Sequence, residues 1–184
     1  TTEIYTLSLH DALPILAVEI VEDILEQSES QKVVIYAVHH IVVEMLEQAL
    51  KKWGVSTITG EVAQKDRQKR IDAFQNRHSP RVMVISSAGG EGIDLFRADR
   101  LIFVEREWQP GTEEQAEARC HRMGQKNAVE AIYLIASDTV DCKMDMLIES
   151  KREVIGNLIK MDSIATNSNR SEEHTSELQS PNTI

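Results

Sequence analysis

The sequence predicts a doubly wound α/β domain, a parallel sheet of about five strands flanked by helices on both faces. Three observations lead there. From Lys32 onward, short apolar β-rich runs alternate with longer helical patterns, the signature of successive βαβ units. The runs lack strict polar alternation, as strands buried on both faces do. Polar, glycine-containing segments follow directly after runs, and in such sheets ligands gather at the carboxyl ends of the strands. In chain order, Leu16 to Gln27 reads as a helix outside the sheet, apolar at Val18, Ile20, Val21 and Leu25. The strands are VVIYA from Val33, VSTIT from Val55, RVMVIS from Arg81, RLIFVE from Arg100 and VEAIYLIA from Val129. Between and after them, apolar spacings of three and four mark helices over Ile41 to Lys52, Gln64 to Phe74, Gly111 to Met123 and Thr139 to Leu158. The first of these helices places Val42, Met45, Leu46 and Leu50 on one face, and the last is expected to bury Met144, Met146 and Leu147.

The two ends stand apart. Thr1 to Ile15 and Arg170 to Ile184 resemble conceptual translations of short-read sequencing adapters, so both are set aside as artefact, and 16 to 169 is expected to be the domain. The last stretch is polar, without apolar periodicity, and reads as disordered. A chain of 184 residues, 41% hydrophobic and 27% charged, has room for one globular domain. Lys and Arg number 20 against 30 Asp and Glu, a net charge of -10. Removing the five acids and one arginine of the two ends brings it to -6. A surface that grips phosphate everywhere is excluded, and any nucleic-acid contact must be local. Cys120 and Cys142 lack C-x-x-C spacing, which favours a reducing compartment over a disulfide scaffold. No apolar run approaches the roughly 18 to 20 residues of a membrane span. The expectation is a soluble intracellular protein, cytoplasmic in a prokaryote or phage and nuclear in a eukaryote, without membrane contact.

Two constellations carry chemistry. Ser86 to Leu95, SSAGGEGIDL, follows an apolar run; its glycines let backbone approach a phosphate while Ser86, Ser87 and exposed N–H groups donate. A tight strand-to-helix turn explains the same glycines without a ligand. Gln115 to Gln125, QAEARCHRMGQ, lies on a helix entered through Trp108, Gln109, Pro110 and Gly111. Arg119 and Arg122, three apart, share a face and can converge on one anion. Their planar, permanently charged forks suit a transferring phosphoryl group, whereas a solvated helix facing Glu114 and Glu117 is the plainer reading. Cys120 beside His121 is not a metal site, because adjacent helical residues diverge. His39 and His40 fit a strand-end pair making local hydrogen bonds, and Asp138 and Asp141 fit helix capping near Thr139.

In order and spacing, VVIYAVHH, TGEVAQKDRQKRIDAF, SSAGGEGIDL, FVEREWQPGTEEQAEARCHRMGQ and YLIASDTVD resemble the C-terminal RecA-like lobe of the Swi/Snf-type ATPases of helicase superfamily 2. The resemblance covers nearly all of residues 32 to 148, and His39 with His40 points toward the annealing-helicase branch. It implies that Arg119 and Arg122 are arginine fingers reaching ATP on the other lobe, and that Gln115 and Gln125 place their helix. It implies that Gly90, Gly92 and Asp94 couple nucleotide state to DNA contact, with Glu91 an acidic departure from many relatives. Ser86, Ser87 and Trp108 would touch the DNA, and Arg67 would do so unless it pairs with Glu61 or Asp66 on its own helix.

The sequence contains neither G-x-x-x-x-G-K-[ST] nor a D-E-x-H-like acidic pair after an apolar strand. ATP and Mg2+ are therefore expected on an N-terminal RecA-like lobe of the same polypeptide, and this lobe alone should not hydrolyse ATP. The other expected partner is double-stranded or forked DNA. The alternatives are a non-catalytic DNA-binding or partner-docking module, in which the arginines do not affect nucleotide handling, and a strand-separating helicase, distinguished by strand displacement.

Overall fold

The computed structural model describes residues 2–7, 12–87, 89, 93–107, 109–120, 127–136 and 141–157. They fall into two units, Thr1–Met146 and Leu147–Ile184. The first unit is built as β1 (Thr2–Leu7), α1 (Leu13–Gln27), β2 (Val33–Tyr36), α2 (His40–Ala49), β3 (Val55–Ile58), α3 (Gln64–Asn76), β4 (Val82–Ile85), β5 (Arg100–Phe103), α4 (Pro110–Cys120) and β6 (Glu130–Ala136). Residues 141–146 are helical, and so in the second unit are 147–157. The strands form one six-stranded sheet in the order β1-β6-β5-β2-β4-β3, every pair parallel.

Strand residues alternate between two cores, which is why the apolar runs are continuous. Val33, Ile35, Val82, Val84, Ile102, Val104, Ile132 and Leu134 join α1 and α2 on one face. Val34, Tyr36, Met83, Ile85, Leu101, Phe103, Ala131 and Tyr133 face the core on the other side, with Ile71 and Phe74 of α3 and Ala116 and Cys120 of α4. The doubly wound α/β class read from the sequence is thus the fold observed. Five of the strands coincide with the predicted runs. The sixth, β1, comes from the segment set aside as adapter-like and pairs Thr2–Leu7 with Ala131–Ala136. With β1 in place, β6 is an interior strand and β1 and β3 are the two edges of the sheet.

Three helix faces differ from expectation. In α1 the buried line is Leu13, Ala17, Val21 and Leu25, spaced by four, while Val18 and Ile20 are only half-buried. In α2, Val43 rather than Met45 joins Val42, Leu46 and Leu50 in the core, and Met45 is 45% exposed at the rim. Met146 and Leu147, expected inside, are 68% and 51% exposed. Residues two apart on a helix point roughly 200° apart, so Met144 and Met146 cannot share a buried face. The helix predicted to run to Lys52 ends at Ala49, and a short 3-10 turn, Lys51–Trp53, leads to Gly54 at φ +71°. That left-handed backbone favours glycine, and a Cβ there would stand 2.2 Å from Ser79 Oγ.

Two buried cations hold the amino-terminal edge of the sheet. Lys32 donates to the carbonyls of Phe74, Arg77 and Pro80. Burial first, then the charges of Arg97 and Arg81, push its ammonium down to about 8. Arg81 donates to the carbonyls of Leu25, Ser28 and Gln31 and lies over the Trp53 ring. These contacts leave the carboxyl edge of the sheet for the functional segments.

Candidate functional site

Because all six strands run the same way, the segments after β2, β3, β4 and β5 reach one edge, with β2 lying between β4 and β5 where the chain reverses its winding. After β4, Ser86 N donates to Ile58 O at 3.0 Å, which stitches this turn to the end of β3. Gly89 N donates to Ser86 O at 3.0 Å and to Ser86 Oγ at 3.2 Å. The Ser86 hydroxyl accepts in that turn and keeps its own proton to donate. A Cβ on Gly89 would stand 2.1 Å from Ile58 O and 2.8 Å from Thr59 Cα, so this position is glycine for lack of space. Ser87 hydrogen-bonds the Tyr36 hydroxyl, which also donates to Glu107 Oε1 at 3.1 Å. Burial, followed by the Glu107 charge, raises the Tyr36 phenol well above its ordinary range.

After β5 come Glu105 and Arg106, both buried. Glu105 Oε2 accepts from the N–H groups of Val38 and His39 at 2.7 and 2.9 Å, while Oε1 meets His39 Nδ1. His40 Nδ1 lies 3.4 Å from Glu44 Oε1. The paired histidines thus make local contacts, one of which joins the β2 and β5 loops. Arg106 forks onto Glu113 at the start of α4, Nε to Oε1 and Nη2 to Oε2, each at 3.0 Å, and Nη1 donates to Asp145. Glu107 N adds a third donor to the Glu113 carboxylate, reaching Oε1 at 2.9 Å. The lining of a 410 Å³ cavity beside this edge includes His39, Met45, Val104 and Glu105.

Proline at the first position of α4 suits a helix start, where no N–H is needed. Glu113, Ala116 and Cys120 form its buried face, and burial pushes the Cys120 thiol up to about 12. Arg119 is half-buried and Gln115, four residues earlier, is exposed on the same side. Leu95 N donates to Arg119 O at 2.9 Å, tying the exit of the glycine segment to the arginine helix. Asp94 is exposed, and its carbonyl accepts from Gln75 Nε2 at 2.7 Å. Arg67 stands in neither expected pairing; its guanidinium holds the carbonyls of Thr59, Gly60 and Val62, and Asp66 pairs with Lys69 instead. The structure therefore brings Ser86, Ser87, Asp94, Gln115 and Arg119 to one region of the fold, with Arg67 shaping the adjacent β3 turn. Gly90, Gly92, Trp108, Arg122 and Gln125 lie outside the described residues, as do Glu91, His121 and Asp138.

Sequence reasoning missed Arg106 and Glu113. The available signal was a helical i, i+3, i+7 series that places Glu113 with Ala116 and Cys120, so an acid on a buried stripe requires a buried cation. Among the described residues no group of three His, Cys, Asp or Glu side chains is arranged to hold a metal ion. No described helix is long and apolar enough to cross a membrane.

Residues 16–124 match the family model of the helicase conserved C-terminal domain. Over 129 residues the chain is 38% identical to a SWI/SNF-related matrix-associated actin-dependent regulator of chromatin subfamily A-like protein 1 homolog from Caenorhabditis elegans, covering 68% of this chain and 19% of that protein. Over 136 residues it is 32% identical to the human DNA annealing helicase and endonuclease ZRANB3, covering 72% and 13%. The Sulfolobus solfataricus SWI2/SNF2 ATPase core, solved in complex with dsDNA, superposes with a TM-score of 0.63 at 31% identity, covering 79% of this chain and 31% of that one. The chain spans about a fifth or less of these two curated relatives.

Proposed function

We propose, from the premise that this chain belongs to the helicase conserved C-terminal domain family and to its SWI/SNF-type ATPases, that it is the second motor lobe of an ATP-driven translocase on duplex DNA. ATP and Mg2+ belong to the N-terminal lobe of the same polypeptide. The part of this lobe is then electrostatic and mechanical. Arg119 and Arg122 enter the cleft between lobes as it closes and neutralise the charge that develops on the γ-phosphoryl group. Ser86 and Ser87, with Trp108, hold the DNA backbone; Gly90, Gly92 and Asp94 lie on the segment linking them to the arginine helix. Arg67 contributes by fixing the turn after β3. Gln115 and Gln125 orient the helix between them.

The observation that carries this reading is the Leu95 N to Arg119 O bond at 2.9 Å, because it joins the exit of the serine and glycine segment directly to the helix that holds Arg119. The archaeal relative in complex with dsDNA supports the choice of duplex as the track. The test uses the full-length protein that contains this lobe. Arg119→Ala and Arg122→Ala should each lower duplex-stimulated phosphate release by about 10³ to 10⁵. Retention of more than about a tenth of wild-type turnover would refute the assignment, given that loss expected for an arginine finger.

A further inference from the structure

Among the described residues of α4, the helix that holds Arg119, the buried stripe lacks the large apolar side chains that usually lock a helix in place. Glu113, Ala116 and Cys120 occupy it, at 0%, 3% and 0% exposure. Two small side chains bury little area and leave rotation and sliding weakly specified. Polar contacts supply the specification. Near the start of the helix, the Glu113 carboxylate takes the forked Arg106 pair and the Glu107 N–H. One turn further, Glu117 accepts from the Tyr133 hydroxyl, and the Arg119 carbonyl accepts from Leu95 N. Arg106 is itself held from below, its guanidinium 4.5 Å from the Tyr133 ring centroid and its third nitrogen on Asp145. Tyr133 stacks on Phe103 at 4.5 Å and Phe103 meets Tyr36 at 5.3 Å, one row across three adjacent strands in register.

We propose that Arg106, Glu113 and Asp145 form a clamp that sets the rotation and axial position of α4 on the sheet, so that Arg106 and Glu113 are positioning residues for nucleotide hydrolysis. A buried ion pair is a poor source of net stability compared with an apolar replacement, but its forked geometry admits one arrangement only. Glu113 and Arg119 lie six residues apart on one rigid helix, so a tilt or slide at the first displaces the second. The proposal rests on the reading of Arg119 as an arginine finger.

The test measures duplex-stimulated ATP turnover of the full-length protein. Glu113→Gln keeps size but removes the charge and replaces one of the two accepting oxygens with an NH2 that cannot accept from Arg106; Arg106→Lys keeps the charge but removes the fork. Each should lower kcat by about 10- to 100-fold, the scale for a misplaced catalytic group. KM for ATP should stay within about threefold, since ATP is held by the other lobe. Asp145→Asn, at the clamp's partly exposed rim, should give the same kcat-only pattern with a smaller fall, and it stands in if thermal melting shows that the buried variants do not fold. Placed on an Arg119→Ala background, each variant should cost less than about twofold more in single turnover, because residues acting through one group are non-additive. Losses that multiply on that background, or a rise in KM with kcat unchanged, overturn the clamp. If Arg119→Ala alone keeps turnover, the arginine reading falls and the clamp with it. If Arg119→Ala is inactive while Glu113→Gln and Arg106→Lys keep more than half of wild-type kcat, the clamp alone falls.

Discussion

The same chemical change, glycine to alanine, should have opposite effects at Gly89 and Gly111. At Gly89 the added methyl group would stand 2.1 Å from Ile58 O, 2.6 Å from Ile58 C and 2.8 Å from Thr59 Cα. All three are backbone atoms of the neighbouring strand and its exit, so no side chain can swing aside. Relief requires the Ser86–Gly89 turn to lift away from β3, which strains the 3.0 Å bond from Ser86 N to Ile58 O. Overpacking of this kind costs about 1–3 kcal/mol, a fall of roughly 3–10 °C in Tm for a domain of this size. Gly111, in the first turn of α4, has nothing within 4 Å of the place an added methyl group would take. Gly111→Ala removes backbone freedom from the unfolded chain and should stabilise by about 0.5 kcal/mol. Urea unfolding of the two variants beside the parent chain measures both effects. A Gly89→Ala protein within about 0.3 kcal/mol of the parent, far below the overpacking cost, would show that the turn is not pressed against β3 and would undo the steric argument.

Further outcomes concern the buried titratable groups. Below about pH 8, Lys32 is protonated in folded and unfolded chains alike; above it, the folded chain releases a proton that the unfolded chain keeps toward 10.5. Stability from this group therefore rises with pH through that window, by up to about 1.4 kcal/mol per pH unit. The rise should disappear in Lys32→Met, read as the difference between urea midpoints at two pH values. Cys120 works in the opposite direction. Its thiol, pushed up to about 12 by burial, keeps a proton that the unfolded chain loses near 9, so it makes stability fall above that pH. At pH 8 iodoacetamide should label partly exposed Cys142 well before fully buried Cys120, as mass spectrometry of quenched samples would report. Equal labelling rates would contradict the burial of Cys120.

Much of the fold was legible because it depends on local pattern. Continuous apolar runs such as VVIY and VMVI can be satisfied only by strands covered on both faces, and five of the six strands lie where those runs stand. The helix that begins at Pro110 was legible for a related reason, since its apolar spacing is local. Helix faces were less legible. Met45 and Val43 are both apolar, and only the path of α2 across the sheet decides which of them is buried.

The sequence by itself determined the alternation of strands and helices, the family, and the location of the segments that carry serine, glycine and arginine. Only the tertiary structure decided that Gly89 must lack a side chain, because the atoms that exclude one belong to the end of β3, some thirty residues earlier. It also decided that Arg106, Glu113 and Asp145 meet, although Asp145 stands 39 positions from Arg106. A charge can be buried only where its partner arrives, and that arrival is set by how parallel strands bring separate loops to one edge of a sheet.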